Sequence, residues 1–224
     1  MAVLVHLVRH GEVDNPDHLV YAGLPGFGLS PHGIEQARRV GRYLGPRPVV
    51  AIWCSPLERS LRTAEAIASR TTVPVKVDPD LTEWSLMSRW KGHTWRDVPV
   101  GFPGELEAYL DHPDDLPFAD ESLDDVADRV AAVARRLDLE HPHGDVVIVS
   151  HQDPIQAGRL RLLGAPLTDL HTDQPALGAV ITLRPGASWT EETTWEPGKS
   201  PQFGEKTGLR ILESAEGPPP PTSA

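Results

Sequence analysis

The chain has 224 residues, a formal net charge of −11 and an apolar fraction of 39%, enough for one large core. That charge and the lack of a basic stripe argue against a nucleic-acid partner, and no segment approaches the ~20 apolar residues that span a membrane. The single cysteine, Cys54, excludes an internal disulfide and a cysteine metal cage, and fits a reducing, cytoplasmic setting.

Met1 to Val8 is too short and lacks the basic start of a signal peptide. Ala2 to Val8 reads instead as a strand buried on both faces, with His6 a core-edge histidine satisfied by a neighbour. The Gly/Pro-punctuated loop from Gly11 to Leu29 is long for a structureless connection, so substrate contacts are expected there. Ser30-Pro31 has the form of a helix start, and Ile34, Ala37, Val40 and Leu44 follow at helical spacing. A second strand, Val49 to Trp53, leads through Ser55-Pro56 into a helix from about Leu57 to Ser69, with Leu61, Ala64 and Ala68 inward, and then a short strand, Val75 to Val77.

From about 80 to 120 the periodicity fades and Trp84, Trp90 and Trp95 accumulate among breakers, which reads as an irregular cap insertion packed by its tryptophans. Ser122 opens a long helix with an acidic first turn, carried by Leu123, Val126, Val130, Val133 and Leu137. Val146 to Val149 is a further apolar strand, a helix from about Pro154 to Leu163 follows, and Ala179 to Leu183 is the final strand. His93, His141, His143 and His171 are expected to face solvent. One domain is expected over 1–198, with a disordered Pro-rich tail over 199–224. Alternating strands and helices imply an α/β fold, a three-layer α/β/α sandwich with a mostly parallel central sheet and a ligand site at the carboxyl ends of its strands.

Three of those strand ends carry polar residues that packing alone does not need: Arg9-His10-Gly11-Glu12, Ser55 to Arg62, and Ser150-His151. In a doubly wound sheet they converge on one crevice. A neutral imidazole is a competent nucleophile toward phosphorus. Flanking guanidiniums stabilise the charge on the transferring phosphoryl oxygens and hold the histidine unprotonated, and a carboxylic acid or second histidine protonates the leaving group.

These residues resemble the Arg-His-Gly motif of the histidine phosphatase superfamily, the phosphoglycerate mutase-like group. The resemblance extends through Ser55-Pro56-Leu57-Glu58-Arg59-Ser60, Leu81-Thr82-Glu83 before Trp90-Lys91-Gly92, and Val149-Ser150-His151, about residues 2 to 185. It implies that His10 accepts the phosphoryl group, that Arg9, Arg59 and His151 hold it, and that Glu83 is the acid and then the base, with Glu12 a rival carboxylate. Arg62 and Asn15 lie near matched positions and are carried as substrate-binding candidates. For Arg62 a helix salt bridge competes with a phosphate contact, and for Asn15 a turn role does. Many members have two glycines after the second histidine; this chain has Gln152-Asp153-Pro154, where Asp153 is expected to cap the following helix.

The resulting expectation is a metal-independent, cofactor-free phosphomonoesterase acting on a small phosphorylated metabolite. The 80–120 cap is short and acidic for a phosphoglycerate clamp, which disfavours the alternative of mutase-type transfer. A metal-dependent hydrolase using His10 and His151 would set Arg9 and Arg59 against its cation. A non-catalytic phospholigand-binding module is the third alternative. A homodimer is compatible with the sequence, and nothing in it requires one.

Overall fold

The computed structural model describes residues 2–198; the tail expected over 199–224 lies outside the described residues. In chain order the elements are β1 (Val5–Arg9), α1 (Pro31–Leu44), β2 (Val49–Cys54), α2 (Glu58–Thr71), β3 (Val75–Val77), α3 (Leu86–Arg89), α4 (Val98–Gly101), α5 (Glu105–Asp111), α6 (Leu123–Glu140), β4 (Asp145–Ser150), α7 (Gln152–Leu163), β5 (Val180–Arg184) and β6 (Thr190–Trp195). Single 3₁₀ turns occur at Pro79–Leu81 and Leu167–Asp169.

The strands form one sheet in the order β3-β2-β4-β1-β5-β6. The first four are parallel, while β5 runs antiparallel to β1 and β6 antiparallel to β5. Because the side-chain period of a strand is two, successive residues feed opposite layers. Leu7, Val146 and Ile148 join Ala131, Ala134 and Leu137 of α6 and Ile155 of α7 on one face. Val8, Val147 and Val149 join Val40 and Leu44 of α1 and Ile67 of α2 on the other. Both faces of β4 are therefore apolar from Val146 to Val149, as a central parallel strand requires. His6 sits within this packing at 0% exposure, and its ring bonds Thr182 Oγ1 at 3.0 Å and Asp145 Oδ2 at 3.1 Å.

Local chemistry sets the helix starts. Ser30 accepts the Gly33 amide, with Pro31 at the first position of α1. Ser122 and Asp125 form a reciprocal capping box at α6. Within α1, Ile34 is 42% exposed; the inward face begins with Gly33 and Gln36, and its apolar side chains start at Ala37.

Three further features depart from the sequence reading. The sheet has a sixth strand, β6, an edge strand of sequence TEETTW whose exposed polar residues carry no apolar alternation. The 80–120 insertion is not irregular: it holds the short helices α3, α4 and α5 around its own apolar cluster. In that cluster Trp84 and Trp90 are fully buried against Tyr109, Val126 and Leu170. His171 is also buried, at 6%, where its Nε2–H donates to the Tyr109 carbonyl at 2.7 Å.

The loop after β1 is stitched to this cap. Val20 N–H donates to the His93 carbonyl at 2.8 Å, and Gly92 N–H returns a bond to the Val20 carbonyl at 2.9 Å. At its base the loop presses on α1 so closely that a Cβ on Gly33 would lie 2.0 Å from the Glu12 carbonyl oxygen.

Candidate active site

β2, β4 and β1 are neighbours in the sheet and end on the same side, so the residues that follow them meet without any long-range loop having to close. His10 follows β1, Ser55 and Arg59 follow β2, and His151 follows β4. His10 and Arg59 are only 2% and 1% exposed and His151 is fully buried.

The hydrogen bonds assign the ring tautomers. His10 Nδ1 lies 2.7 Å from the Gly11 carbonyl, which can only accept, so Nδ1 carries the proton and Nε2 is unprotonated. Arg59 Nε–H lies 3.2 Å from both His10 Nε2 and His151 Nδ1, so each of those nitrogens is an acceptor. His151 Nε2–H then donates to Ser55 Oγ at 2.7 Å. Burial, followed by the charges of Arg59 and Arg9, holds His10 well below its usual range. Burial and Arg59 do the same for His151. Both imidazoles are therefore neutral at neutral pH, the form a nucleophile needs.

Arg9 donates from Nη1 to the Pro175 carbonyl at 2.8 Å. Its Nε and the Nη2 of Arg59 are buried donors without a hydrogen-bond partner among the described residues. Two such guanidinium donors beside an unprotonated imidazole suit the oxygens of a phosphoryl group.

Glu83 approaches Arg59 Nη2 and His151 Nδ1, both at 3.6 Å from Oε2, while its Oε1 accepts the Trp84 amide at 3.0 Å. Burial pushes its carboxyl up to about 7, against the opposing pull of Arg59. With His151 neutral, the contact between them is not an ion pair. A carboxyl titrating there can give a proton at neutral pH and take one back. The rival carboxylate, Glu12, is turned away from this role: it accepts the Ser30 hydroxyl at 2.6 Å beside α1.

Other candidates lie elsewhere. Arg62 is an exposed residue of α2, ion-paired with Glu65 at 3.1 Å and Glu58 at 3.8 Å, and does not reach the site. Asn15 spends both ends of its amide on Leu19, donating to the carbonyl at 2.9 Å and accepting the amide at 3.0 Å, which closes a turn. Asp153 does not cap α7. His151 is the N-cap, and Asp153, two residues on, is buried beside Tyr109.

Two contributors escaped the sequence reading. Tyr21 lies under Arg59, with the guanidinium carbon 4.7 Å from the ring centroid, and stacks on Phe27 at 5.2 Å. The next residue, Ala22, holds a left-handed φ of 42°, a conformation that costs a non-glycine residue energy and that this buried position sustains. The available signal was an aromatic inside the Gly/Pro-punctuated loop. Arg129 of α6 grips the segment bearing Glu83: Nη1 donates to the Asp80 and Thr82 carbonyls at 2.6 and 2.9 Å, and Nε to Glu121 at 2.6 Å. Ser150 adds a bond from its hydroxyl to the Leu81 carbonyl at 2.6 Å. Nothing in the helical pattern of α6 distinguishes Arg129 from its exposed neighbours.

Among the described residues no group of three or more His, Cys, Asp or Glu side chains is placed to hold a metal ion. The profile of the histidine phosphatase superfamily (branch 1) matches residues 5–196. The chain belongs to that superfamily. The Mycobacterium tuberculosis protein Rv0525 is 38% identical over 185 residues, covering 80% of this chain and 88% of its own. Glucosyl-3-phosphoglycerate phosphatase of Mycolicibacterium vanbaalenii is 31% identical over 192 residues, covering 83% and 81% respectively. The solved structure of mycobacterial glucosyl-3-phosphoglycerate phosphatase Rv2419c in complex with VO3 superposes with a TM-score of 0.77 at 26% identity, over 87% of this chain and 99% of that one. This histidine phosphatase chain thus shares the α/β fold and phosphoglycerate mutase-like layout of those phosphatases.

Proposed function

We propose that the chain hydrolyses a small phosphomonoester through a phosphohistidine on His10. The observation that carries this reading is the locked tautomer of His10, whose Nε2 lone pair is held against Arg59 Nε at 3.2 Å while Nδ1 is committed to Gly11. In the first step Nε2 attacks phosphorus, the P–O ester bond breaks, and protonated Glu83 gives its proton to the leaving alkoxide. The bond from Arg59 Nε to the ring is exchanged for one to a phosphoryl oxygen, and Arg9 Nε and Arg59 Nη2 take the remaining charge. In the second step Glu83, now a carboxylate, removes a proton from water as the water oxygen attacks phosphorus and the P–N bond breaks.

Electrostatics weigh against the metal-dependent reading. A cation bound to His10 and His151 would face the guanidinium that already bridges their acceptor nitrogens. The relatives named for glucosyl-3-phosphoglycerate support a small phosphorylated metabolite as substrate. A cytoplasmic site of action accords with a chain whose single cysteine, Cys54, is a free, buried thiol. The test is release of phosphate from p-nitrophenyl phosphate in the presence of a chelator. Turnover that His10→Ala abolishes supports the reading, and full turnover in that variant refutes it.

A further inference from the structure

Arg59 carries a buried positive charge that its hydrogen bonds hold at one atom of the guanidinium. Its Nε–H is shared between His10 Nε2 and His151 Nδ1, 3.2 Å from each, and both acceptors belong to neutral rings. The carboxyl beside it, Glu83 at 3.6 Å from Nη2, titrates at about 7 and is uncharged below that pH. Buried charges in folded proteins are paired, so a guanidinium only 1% exposed and without an ionised partner calls for another stabiliser. A shared hydrogen bond at Nε also leaves the guanidinium plane free to tilt about the Nε–H axis, which would swing Nη2 away from Glu83.

Tyr21 answers both needs. The guanidinium carbon of Arg59 lies over its ring, 4.7 Å from the centroid, where the π electrons present negative charge to a cation. The ring is itself braced. It stacks on Phe27, with centroids 5.2 Å and planes 22° apart. On its N-terminal side Val20 exchanges backbone hydrogen bonds with His93 and Gly92 of the cap, at 2.8 and 2.9 Å, and Leu19 forms a bridge with Thr94. On its C-terminal side the buried Ala22, at a φ of 42°, fixes the direction in which the chain leaves. Loop and cap together thus press one aromatic ring against one guanidinium.

We infer that Tyr21 is the positioning residue of Arg59: its ring covers one face of the guanidinium, takes the place of a counter-ion, and keeps Nε between the two imidazoles. This rests on the phosphomonoesterase reading only for its effect on turnover, because its effect on the imidazoles is readable without a substrate. The experiment is NMR of the imidazole nitrogens in the full chain, with His10 and His151 assigned by the signals lost in His10→Ala and His151→Ala. The charged and titratable groups around the two rings are Arg59 of α2, Arg9 at the end of β1, and Glu83 beside Arg59. Arg9 is anchored separately on the Pro175 carbonyl, and Glu83 stays protonated over the low range in which His10 titrates. In Tyr21→Leu the Arg59 charge is no longer held against the rings, so both histidines are expected to titrate higher, toward the ordinary imidazole value. At pH 7 the His10 Nε2 resonance is expected to move toward that of an unbonded imidazole nitrogen. Tyr21→Phe, which keeps the ring face, is expected to restore the wild-type signals, and Tyr21→Met replaces Leu if that variant does not fold. The kcat/KM for p-nitrophenyl phosphate is expected to fall about tenfold in Tyr21→Leu, the scale of one desolvated cation–π contact. A role confined to loop packing would lower stability and leave both imidazoles unmoved. That result, or shifts in Tyr21→Phe as large as those in Tyr21→Leu, overturns the inference. Absence of turnover in the wild type, with the imidazole shifts as expected, overturns hydrolysis and leaves the positioning role standing; turnover with unmoved imidazoles does the reverse.

Discussion

Replacing Glu83 by Gln should separate substrates by their leaving groups. Burial raises the Glu83 carboxyl from 4.5 to about 7, so at pH 6 roughly 90% of it carries the proton, against roughly 3% for an ordinary glutamate. That proton matters only where the departing oxygen is too basic to leave unaided. For an alkyl phosphate, loss of a positioned general acid costs about 10² to 10⁴ in rate. For p-nitrophenyl phosphate, whose phenolate leaves without help, kcat/KM should fall less than roughly tenfold on the same reasoning. Kcat/KM is the right quantity because it stops at the first irreversible step, before the same residue is needed as a base. The pH profile gives an independent check. In the wild type the alkyl-phosphate kcat/KM should decline above about pH 7 as Glu83 loses its proton. Its acid limb should lie well below the ordinary histidine value, since His10 must be unprotonated. In Glu83→Gln the decline above 7 should vanish. Equal losses on both substrates, or an unchanged alkaline limb, would refute the role of Glu83 as the acid.

The same substitution has a stability signature. A carboxyl with a raised folded-state pKa loses stability as pH climbs from 4.5 to about 7, so in chemical denaturation Glu83→Gln should be more stable than wild type at pH 8, by at most about 3 kcal/mol, and equally stable at pH 4. Arg129→Met, which frees the Asp80 and Thr82 carbonyls, should lower alkyl-phosphate kcat/KM about tenfold through a displaced Glu83 and shift the alkaline limb; Arg129→Lys should not restore it, because an ammonium cannot span both carbonyls and Glu121. Gly33→Ala, whose Cβ would overlap the Glu12 carbonyl, should lower stability by about 1–3 kcal/mol in chemical denaturation. Arg62→Ala should leave kcat/KM within about twofold of wild type, since only exposed ion pairs are lost.

The parallel half of the sheet was legible because burial on both faces leaves a direct trace: Val146 to Val149 can only be apolar if both layers need it. The edge strand β6 leaves no such trace, since neither its composition nor its alternation differs from a polar loop. The cap failed for another reason. Helices of four to seven residues are too short to show a period, and Trp84, Trp90 and Tyr109 pack through contacts distant in sequence. At the site, the residues that follow strand ends were readable from position alone. Tyr21 and Arg129 were not, because one acts through a loop conformation and the other through backbone carbonyls, and neither leaves a spacing to detect. Asp153 was visible as a departure from glycine. Its partner Tyr109, 44 residues away, decides what it does, so helix capping was the local answer to a tertiary question.

The account stands on covalent transfer to His10 Nε2. Rapid mixing of the enzyme with a ³²P-labelled phosphomonoester, followed by alkaline quenching, should trap about one labelled phosphoryl group per chain. The label should be stable in base and lost in acid, as a phosphoramidate bond requires, and peptide mapping should place it on His10. A quenched enzyme that carries no label while phosphate is being released, or a label that survives in His10→Ala, would contradict it.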